Sequence, residues 1–123
     1  MKTVIATTAA PGAIGPYVQG YVVNGIAYTS GQIPVCPADG SVPEGIAAQV
    51  KQSCENVKAI LEEAGSAMDK VIKTTCFLAD MGDFAAFNEV YATYFTGKPA
   101  RSCVAVKALP KGVLCEIEAI AEV

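Results

Sequence analysis

The chain has 123 residues, which is enough for one domain with a substantial core. Hydrophobic residues make up 52% and charged residues 17%, which excludes a disordered chain and favours a surface partly covered by further copies of the same chain. The net charge is −3 and no dense basic run is present, so we do not expect a nucleic acid as a partner.

The same counts limit the compartment and the chemistry. No apolar stretch is long enough to span a bilayer, and the N-terminus lacks the apolar segment of a signal peptide. Five cysteines without C-x-x-C spacing predict free thiols in a reducing, cytoplasmic compartment, and we interpret Cys36, Cys54, Cys76 and Cys115 as small buried apolar residues. The absence of histidine removes histidine-dependent catalysis and most zinc sites. We therefore predict no metal site.

The first third of the chain predicts three strands, over residues 2–6, 18–23 and 26–29. The second and third flank Asn24-Gly25, which is the strongest short signal for a β-hairpin in the sequence. A two-residue turn at this point would place Tyr21 opposite Tyr28.

The middle of the chain predicts a helix, a strand and a second helix. Apolar residues recur at spacings of three and four over 46–64, and Gly65 is a natural stop. A strand follows at 71–79. The second helix is predicted over 83–95, with Asp80 or Asp83 as its N-cap. Its aromatic side chains share one side, and we interpret them as core residues: Phe84, Phe87, Tyr91, Tyr94 and Phe95.

The last two strands are predicted over 101–108 and 113–121, joined as a hairpin by a type I turn at Leu109-Pro110-Lys111-Gly112. The order of elements indicates the α+β class. We expect a single domain over residues 1–123, with a six-stranded mixed sheet and two helices packed on one face.

Arg101 is the only arginine in the chain. A guanidinium group is a rigid planar fork that can hold a carboxylate through two parallel hydrogen bonds. The position of Arg101, next to a proline at the start of a strand, suggests an anchor for a small carboxylate. The alternative is an ordinary surface ion pair.

The predicted hairpin would place four side chains on one sheet face, opposite the helices: Arg101, Cys103, Glu116 and Glu118. Arg101 could then hold a substrate carboxylate while Glu116 positions a water molecule. The alternative is that either glutamate simply pairs with a nearby cation. A second subunit covering this face would strengthen each charge and favour a site between subunits. Cys103 has no neighbouring base, so we expect only its backbone or its packing to matter.

Seven short stretches resemble the Rid family, also called YjgF, and in particular its imine deaminases of the RidA type. They follow one another in the family's order over nearly the whole chain: residues 10–17, 29–34, 56–60, 88–91, 100–103, 109–111 and 116–120.

The resemblance implies the chorismate-mutase-like YjgF fold, a homotrimer with clefts between subunits, and no cofactor. It implies hydrolysis of 2-imino acids, such as 2-iminobutanoate and 2-iminopropanoate, to 2-oxo acids and ammonia. Arg101 would hold the substrate carboxylate, and Glu116 would handle the attacking water. The remaining site residues implied by the resemblance are Tyr17, Ser30, Gly31, Asn88 and the backbone of Cys103.

Two other functions compete with the deaminase. One is a ribonuclease or translation inhibitor, an activity also attached to this family by name. The acidic balance, the single arginine and the missing histidine argue against it. The other is a non-catalytic module that binds small carboxylates or acts as a holdase, which needs the same anchor. The sequence alone does not separate binding from catalysis.

Overall fold

Two α-helices lie against one face of a six-stranded sheet. A computed structural model describes residues 1–123. The strands run in the order β1-β2-β3-β6-β4-β5, and every neighbouring pair is antiparallel except β4 and β5. In chain order the elements are β1 (Thr3–Ile5), β2 (Gly20–Val23), β3 (Ile26–Thr29), α1 (Ile46–Glu63), β4 (Val71–Leu78), α2 (Phe84–Tyr94), β5 (Ala100–Ala105) and β6 (Cys115–Glu122). The predicted class, strand number and helix placement are confirmed.

The turn between β2 and β3 forms as predicted. Asn24 has φ 52° and Gly25 has φ 75°, so both central residues take the left-handed conformation that a type I′ turn requires. Tyr21 consequently lies opposite Tyr28. This hairpin needs only local conformational preferences, which explains why the sequence predicts it well.

Helix α1 supplies the centre of the core. Val50, Cys54, Val57 and Leu61 lie on its predicted apolar stripe, and all four are fully buried. The helix ends before Gly65, whose φ of 84° is the left-handed value typical of a helix stop. Burying this stripe against the sheet supplies the main hydrophobic stabilisation of the fold.

Helix α2 also forms close to its predicted bounds. The Asp80 carboxylate accepts a hydrogen bond of 2.7 Å from the Gly82 N–H and so caps the short turn that leads into the helix. Phe87, Tyr91 and Phe95 are buried as predicted, and their ring centroids lie 5.6 and 4.4 Å apart in sequence order.

The predicted hairpin between β5 and β6 is wrong. Strand β6 lies between β3 and β4, whereas β5 runs parallel to β4 at the edge of the sheet. The turn at Pro110–Gly112 is not type I, because Lys111 has φ 58°. The alternating residues of β6 from Cys115 to Ala121 are buried, which suits a central strand. Strand β5 has mostly exposed residues, which suits an edge, and α2 provides the crossover that a parallel pair needs.

This topology separates the four residues that were predicted to share a face. Arg101 aligns with Thr74, and Cys103 aligns with Cys76, on the face that the helices cover. Glu116 aligns with Phe77, and Glu118 aligns with Thr75, on the opposite face. The prediction of one shared, uncovered face is therefore wrong. We call the face opposite the helices the open face.

The open face carries an apolar row across the sheet. Val4, Tyr21, Tyr28 and Ile120 align in successive strands. The exposed fractions are 53% for Val4 and 42% for Tyr28, and Val104 on β5 is 48% exposed.

No helix of the structure has the length and apolar character needed to cross a membrane.

Candidate active site

The Arg101 side chain is held by aromatic rings of α2. Its guanidinium carbon lies 4.7 Å from the ring centroid of Tyr91, 5.4 Å from that of Phe84 and 6.0 Å from that of Phe87. Arginine stacks well on aromatic rings because the guanidinium is planar and weakly hydrated. The rings therefore restrict the guanidinium without neutralising its charge.

A single hydrogen bond fixes the orientation of this guanidinium. Arg101 Nη1 donates to Asn88 Oδ1 at 2.8 Å, and Asn88 lies on α2 between the aromatic residues. An amide oxygen orients the fork but carries no net charge. The structure brings Arg101 and Asn88 together, as both were predicted to line one site.

A cavity of about 350 Å³ lies beside Arg101 and Asn88. None of its lining residues is acidic. The guanidinium thus faces an open space with donors to spare and no carboxylate to pair with. The alternative of an ordinary ion pair does not fit this arrangement. We call Arg101, Asn88 and the three rings the Arg101 half-site.

Glu116 lies beside Gly31 in a second cluster. The Gln32 N–H donates to the Ile117 carbonyl at 2.7 Å, and the Ile117 N–H donates back at 3.2 Å. This two-way bridge brings the backbone of Gly31 against the Glu116 side chain. A Cβ atom at Gly31 would lie only 2.3 Å from Glu116 Oε2, so glycine is needed for the contact.

Ser30 and Tyr17 lie near Gly31. The Ser30 hydroxyl donates to the Val18 carbonyl at 2.6 Å, and the Ser30 N–H donates to the Gln19 carbonyl at 2.8 Å. The hydroxyl proton is therefore already used, and the oxygen remains available as an acceptor. Tyr17 is 49% exposed and lines a small cavity together with Gly31. We call Tyr17, Ser30, Gly31 and Glu116 the Glu116 half-site.

Burial raises the pKa of the Glu116 carboxyl, and the negative charge of Glu118 raises it further. A carboxyl group with a raised pKa binds a proton more readily near neutral pH than an ordinary glutamate does. Such a group can accept a proton from water and return it during a reaction.

Cys103 packs against the core on the helix-covered face. Burial raises the pKa of its thiol, and the nearby charge of Arg101 only partly opposes this effect. A thiol with a raised pKa is a poor nucleophile, which agrees with a role for the backbone or the packing alone. Cys54, Cys76 and Cys115 are fully buried as predicted, whereas Cys36 is only half-buried.

The two half-sites do not meet within one chain. Arg101 and Glu116 are three residues apart along the sheet and two strands apart across it, on opposite faces. This spacing separates their Cα atoms by roughly 10 Å in each of the two directions. A four-carbon acid is too small to contact both groups from such positions.

Several supporting residues were not predicted from the sequence. Phe84, Phe87 and Tyr91 were interpreted as core residues alone, although they also hold Arg101. The Tyr91 hydroxyl shares a 2.6 Å hydrogen bond with Thr74 under the guanidinium. Asn56 donates to the carbonyls of the loop that follows Gly31. The sequence did contain a signal for the aromatic residues: the only arginine of the chain follows closely after the aromatic stripe of α2. That proximity could have linked the rings to Arg101. No group of three or more His, Cys, Asp or Glu side chains is arranged to hold a metal ion.

Comparison with known proteins places this chain and its fold in one family. A model of the Endoribonuclease L-PSP family matches residues 7–123. A 2-iminobutanoate/2-iminopropanoate deaminase of Escherichia coli K12 is 54% identical and covers 98% of this chain and 98% of its own. A Lactococcus lactis protein, provisionally named the regulator AldR, is 56% identical and covers 98% of this chain and 97% of its own.

A solved structure agrees with the sequence matches. The crystal structure of E. coli TdcF with bound serine has a TM-score of 0.95 at 50% identity, with 98% of each chain covered. The chain therefore belongs to the Endoribonuclease L-PSP family, which is also called the YjgF or Rid family. The family and fold implied by the sequence resemblance are confirmed.

Proposed function

We propose that this chain is an imine deaminase that hydrolyses 2-imino acids, including 2-iminobutanoate and 2-iminopropanoate, to 2-oxo acids and ammonia. The observation that carries the proposal is the Arg101 guanidinium, which is held by rings and an amide and faces a cavity without acidic residues. Such a group is suited to the carboxylate that every 2-imino acid carries. Relatives named as 2-iminobutanoate/2-iminopropanoate deaminases support the same reaction.

The proposed site forms between two copies of the chain. The Arg101 half-site of one copy would face the Glu116 half-site of its neighbour, since neither copy can bring both to one ligand. The exposed apolar row of the open face and the unpaired edge of β5 favour contact between copies. Repetition of such a head-to-tail contact closes a ring, and we propose a homotrimer with three equivalent sites.

The chemistry needs only a positioned water molecule. A protonated imine is already electrophilic at C2, so no covalent nucleophile is required. Glu116 accepts a proton as the water oxygen bonds to C2, and then delivers that proton to nitrogen. The C–N bond then breaks as the C2 hydroxyl gives its remaining proton to Glu116, so ammonia leaves and the C2 oxygen becomes the carbonyl of the 2-oxo acid. Glu116 passes this proton to the departing ammonia or to water and is ionised again. Holding both reactants in place supplies much of the rate gain, and acid–base help contributes roughly 100-fold or more.

The remaining predicted residues have positioning roles in this scheme. The Cys103 backbone follows Arg101 along the edge strand, where N–H groups without a partner in the sheet can bind a carboxylate oxygen. Gly31 lies against Glu116, and Tyr17 lines one cavity with Gly31 and another with Ser30. The scheme uses no cofactor.

A trapping assay tests the proposal. An amino-acid oxidase or a dehydratase generates the imine, semicarbazide competes for it, and the purified chain is added. We expect the chain to divert imine from the trap, and we expect the Arg101→Ala variant to lose this effect. Lys51→Ala, an exposed position on α1, is the matched control and should behave like the wild type. Saturable binding of 2-oxobutanoate without any turnover would favour the binding module instead.

RNA cleavage is the second candidate because the matching family is described as an endoribonuclease. It requires that RNA be cut by the purified chain, and that the Arg101→Ala and Glu116→Gln variants lose the activity. With a net charge of −3 and one arginine, we expect no cleavage above the level of these variants.

A further inference from the structure

A second cationic residue borders the cavity of the Arg101 half-site. Lys98 lines the same space of about 350 Å³ as Arg101. Apart from Asn88 and Thr96, the rest of the lining is aromatic or apolar, and no carboxylate is present to neutralise either cation. The cavity is therefore bordered by two cationic residues and by no acidic one.

The backbone at Lys98 has an unusual conformation. Its φ of 52° lies in the left-handed region, where a residue with a side chain is strained and a glycine is not. The turn is tightly packed, because a Cβ atom at the preceding Gly97 would lie 2.9 Å from the Asp69 carbonyl oxygen. The Lys98 N–H donates to the Phe95 carbonyl at 3.3 Å. The residue at this position of the cavity is therefore a lysine, although its backbone conformation favours glycine.

We propose that Lys98 makes this site selective for 2-imino acids with a second carboxylate on the side chain. The proposal rests on the proposed deaminase function. Arg101 takes the carboxylate next to the imine, which all substrates share. The volume of the cavity exceeds that of a four-carbon acid, so a side-chain carboxylate has room beside Lys98. An imine derived from aspartate gains an ion pair there, and an imine of equal length with an uncharged side chain does not.

Two substrates and three variants test the selectivity. The substrates are 2-iminosuccinate, generated by an aspartate oxidase, and 2-iminobutanoate, which has a methyl group in place of the second carboxylate. We expect Lys98→Met to lower kcat/KM for 2-iminosuccinate about tenfold and to change that for 2-iminobutanoate by less than about twofold. Lys98→Arg keeps the charge and should restore most of the selectivity. Lys51→Met removes an equal charge from the exposed surface of α1 and should leave both values unchanged.

Salt provides an independent measurement, because an ion pair near the surface weakens as ionic strength rises. The preference of the wild type for 2-iminosuccinate should decline with added salt, and the Lys98→Met variant should show little salt dependence of this ratio.

Three results would overturn the inference. The first is an equal loss for both substrates, which assigns Lys98 to the shared carboxylate. The second is no loss for either substrate. The third is a change in oligomer size in Lys98→Met, which assigns Lys98 to assembly. These results differ from failure of the deaminase proposal, in which the wild type would not accelerate hydrolysis of 2-iminobutanoate at all.

Discussion

Arg101 combines full charge with restricted motion. Three aromatic rings and the Asn88 amide hold its guanidinium, and none of these groups cancels its charge. An acid partner would hold the side chain equally well, but it would compete with a carboxylate ligand. Because rings and an amide hold it instead, the guanidinium has no acidic partner until a carboxylate ligand binds.

Replacing Arg101 by lysine should impair the enzyme although the charge is kept. Lysine lacks the planar fork and does not stack on the rings as guanidinium does. A charge-assisted hydrogen bond contributes about 1.5–3 kcal/mol, so we expect kcat/KM to fall by about 10- to 100-fold. The thermal midpoint should change little, since the Arg101 side chain makes a single hydrogen bond. A variant that keeps more than half of the wild-type kcat/KM would contradict the anchor role.

Glu116 should destabilise the fold at neutral pH. Its carboxyl pKa is raised above the usual 4.5, mainly by burial, so the folded chain binds this proton more tightly than the unfolded chain does. The protonated Glu116 carboxyl therefore contributes to stability at acidic pH, and this contribution is lost as the pH rises through the raised pKa. Glu116→Gln should raise the thermal midpoint at pH 8, and the difference from the wild type should disappear near pH 4.

The same shift should appear in catalysis. A proton acceptor must be ionised, so kcat/KM should decline on the acid side through a pKa above the usual 4.5 of a glutamate. Glu116→Gln should be nearly inactive at every pH. An acid limb at or below the usual value, or a variant less stable than the wild type at pH 8, would exclude this role for the buried carboxyl.

At the scale of elements, structure that depends on neighbours in sequence was predicted correctly more often than the pairing of distant strands. The Asn24-Gly25 turn and the apolar stripe of α1 depend on neighbours in sequence, and both form as predicted. The pairing of β5 and β6 depends on which strand occupies the centre of the sheet, and that prediction failed. Two strands joined by a turn signal resemble a hairpin in sequence, whether or not a third strand lies between them in space.

The failed pairing changed the interpretation of the site. In the predicted hairpin, Arg101 and Glu116 shared one face of one chain. In the observed order they lie on opposite faces, separated by β4. The sequence pointed to both residues, to the first as the sole arginine and to the second through the predicted hairpin and the family resemblance. It could not assign them to different half-sites, because that requires the strand order.

Gly31→Ala should reduce activity without unfolding the chain. The added Cβ atom would lie 2.3 Å from Glu116 Oε2, at the end of a side chain that can rotate away. We therefore expect kcat to fall by about tenfold or more as the carboxyl moves, with little change in the thermal midpoint. Steady-state kinetics and thermal unfolding of the same preparation measure the two effects.

Gly20→Ala is the matched comparison. Its Cβ atom would lie 2.5 Å from the Tyr28 backbone oxygen in the adjacent strand, which cannot rotate away. We expect a loss of about 1–3 kcal/mol in the free energy of unfolding, typical of overpacking, with kcat retained in the folded fraction. If Gly31→Ala destabilises the chain as strongly as Gly20→Ala while kcat is unchanged, the Gly31 contact is structural only.

At the scale of the whole molecule, the open face of the sheet leaves both its apolar row and the Glu116 half-site without a partner. The apolar row from Val4 to Ile120 lies on the same face as Glu116. One contact between copies could therefore cover the row and complete the site. The composition favours such coverage, although it cannot give the number of copies.

Complementation between two inactive variants tests this arrangement most directly. Arg101→Ala and Glu116→Gln chains are prepared separately, then unfolded, mixed in equal amounts and refolded. Each site in the mixed oligomer takes its arginine from one copy and its glutamate from the next. With random assembly, about a quarter of the sites receive both intact residues. We predict recovery of about a quarter of the wild-type kcat per site, whereas each variant refolded alone stays inactive and the wild type refolded alone regains its activity. The oligomers should have a mass near three times the chain mass of 12.7 kDa. Mixed oligomers of that mass that remain as inactive as their parents would show that the two residues do not act together across a subunit boundary.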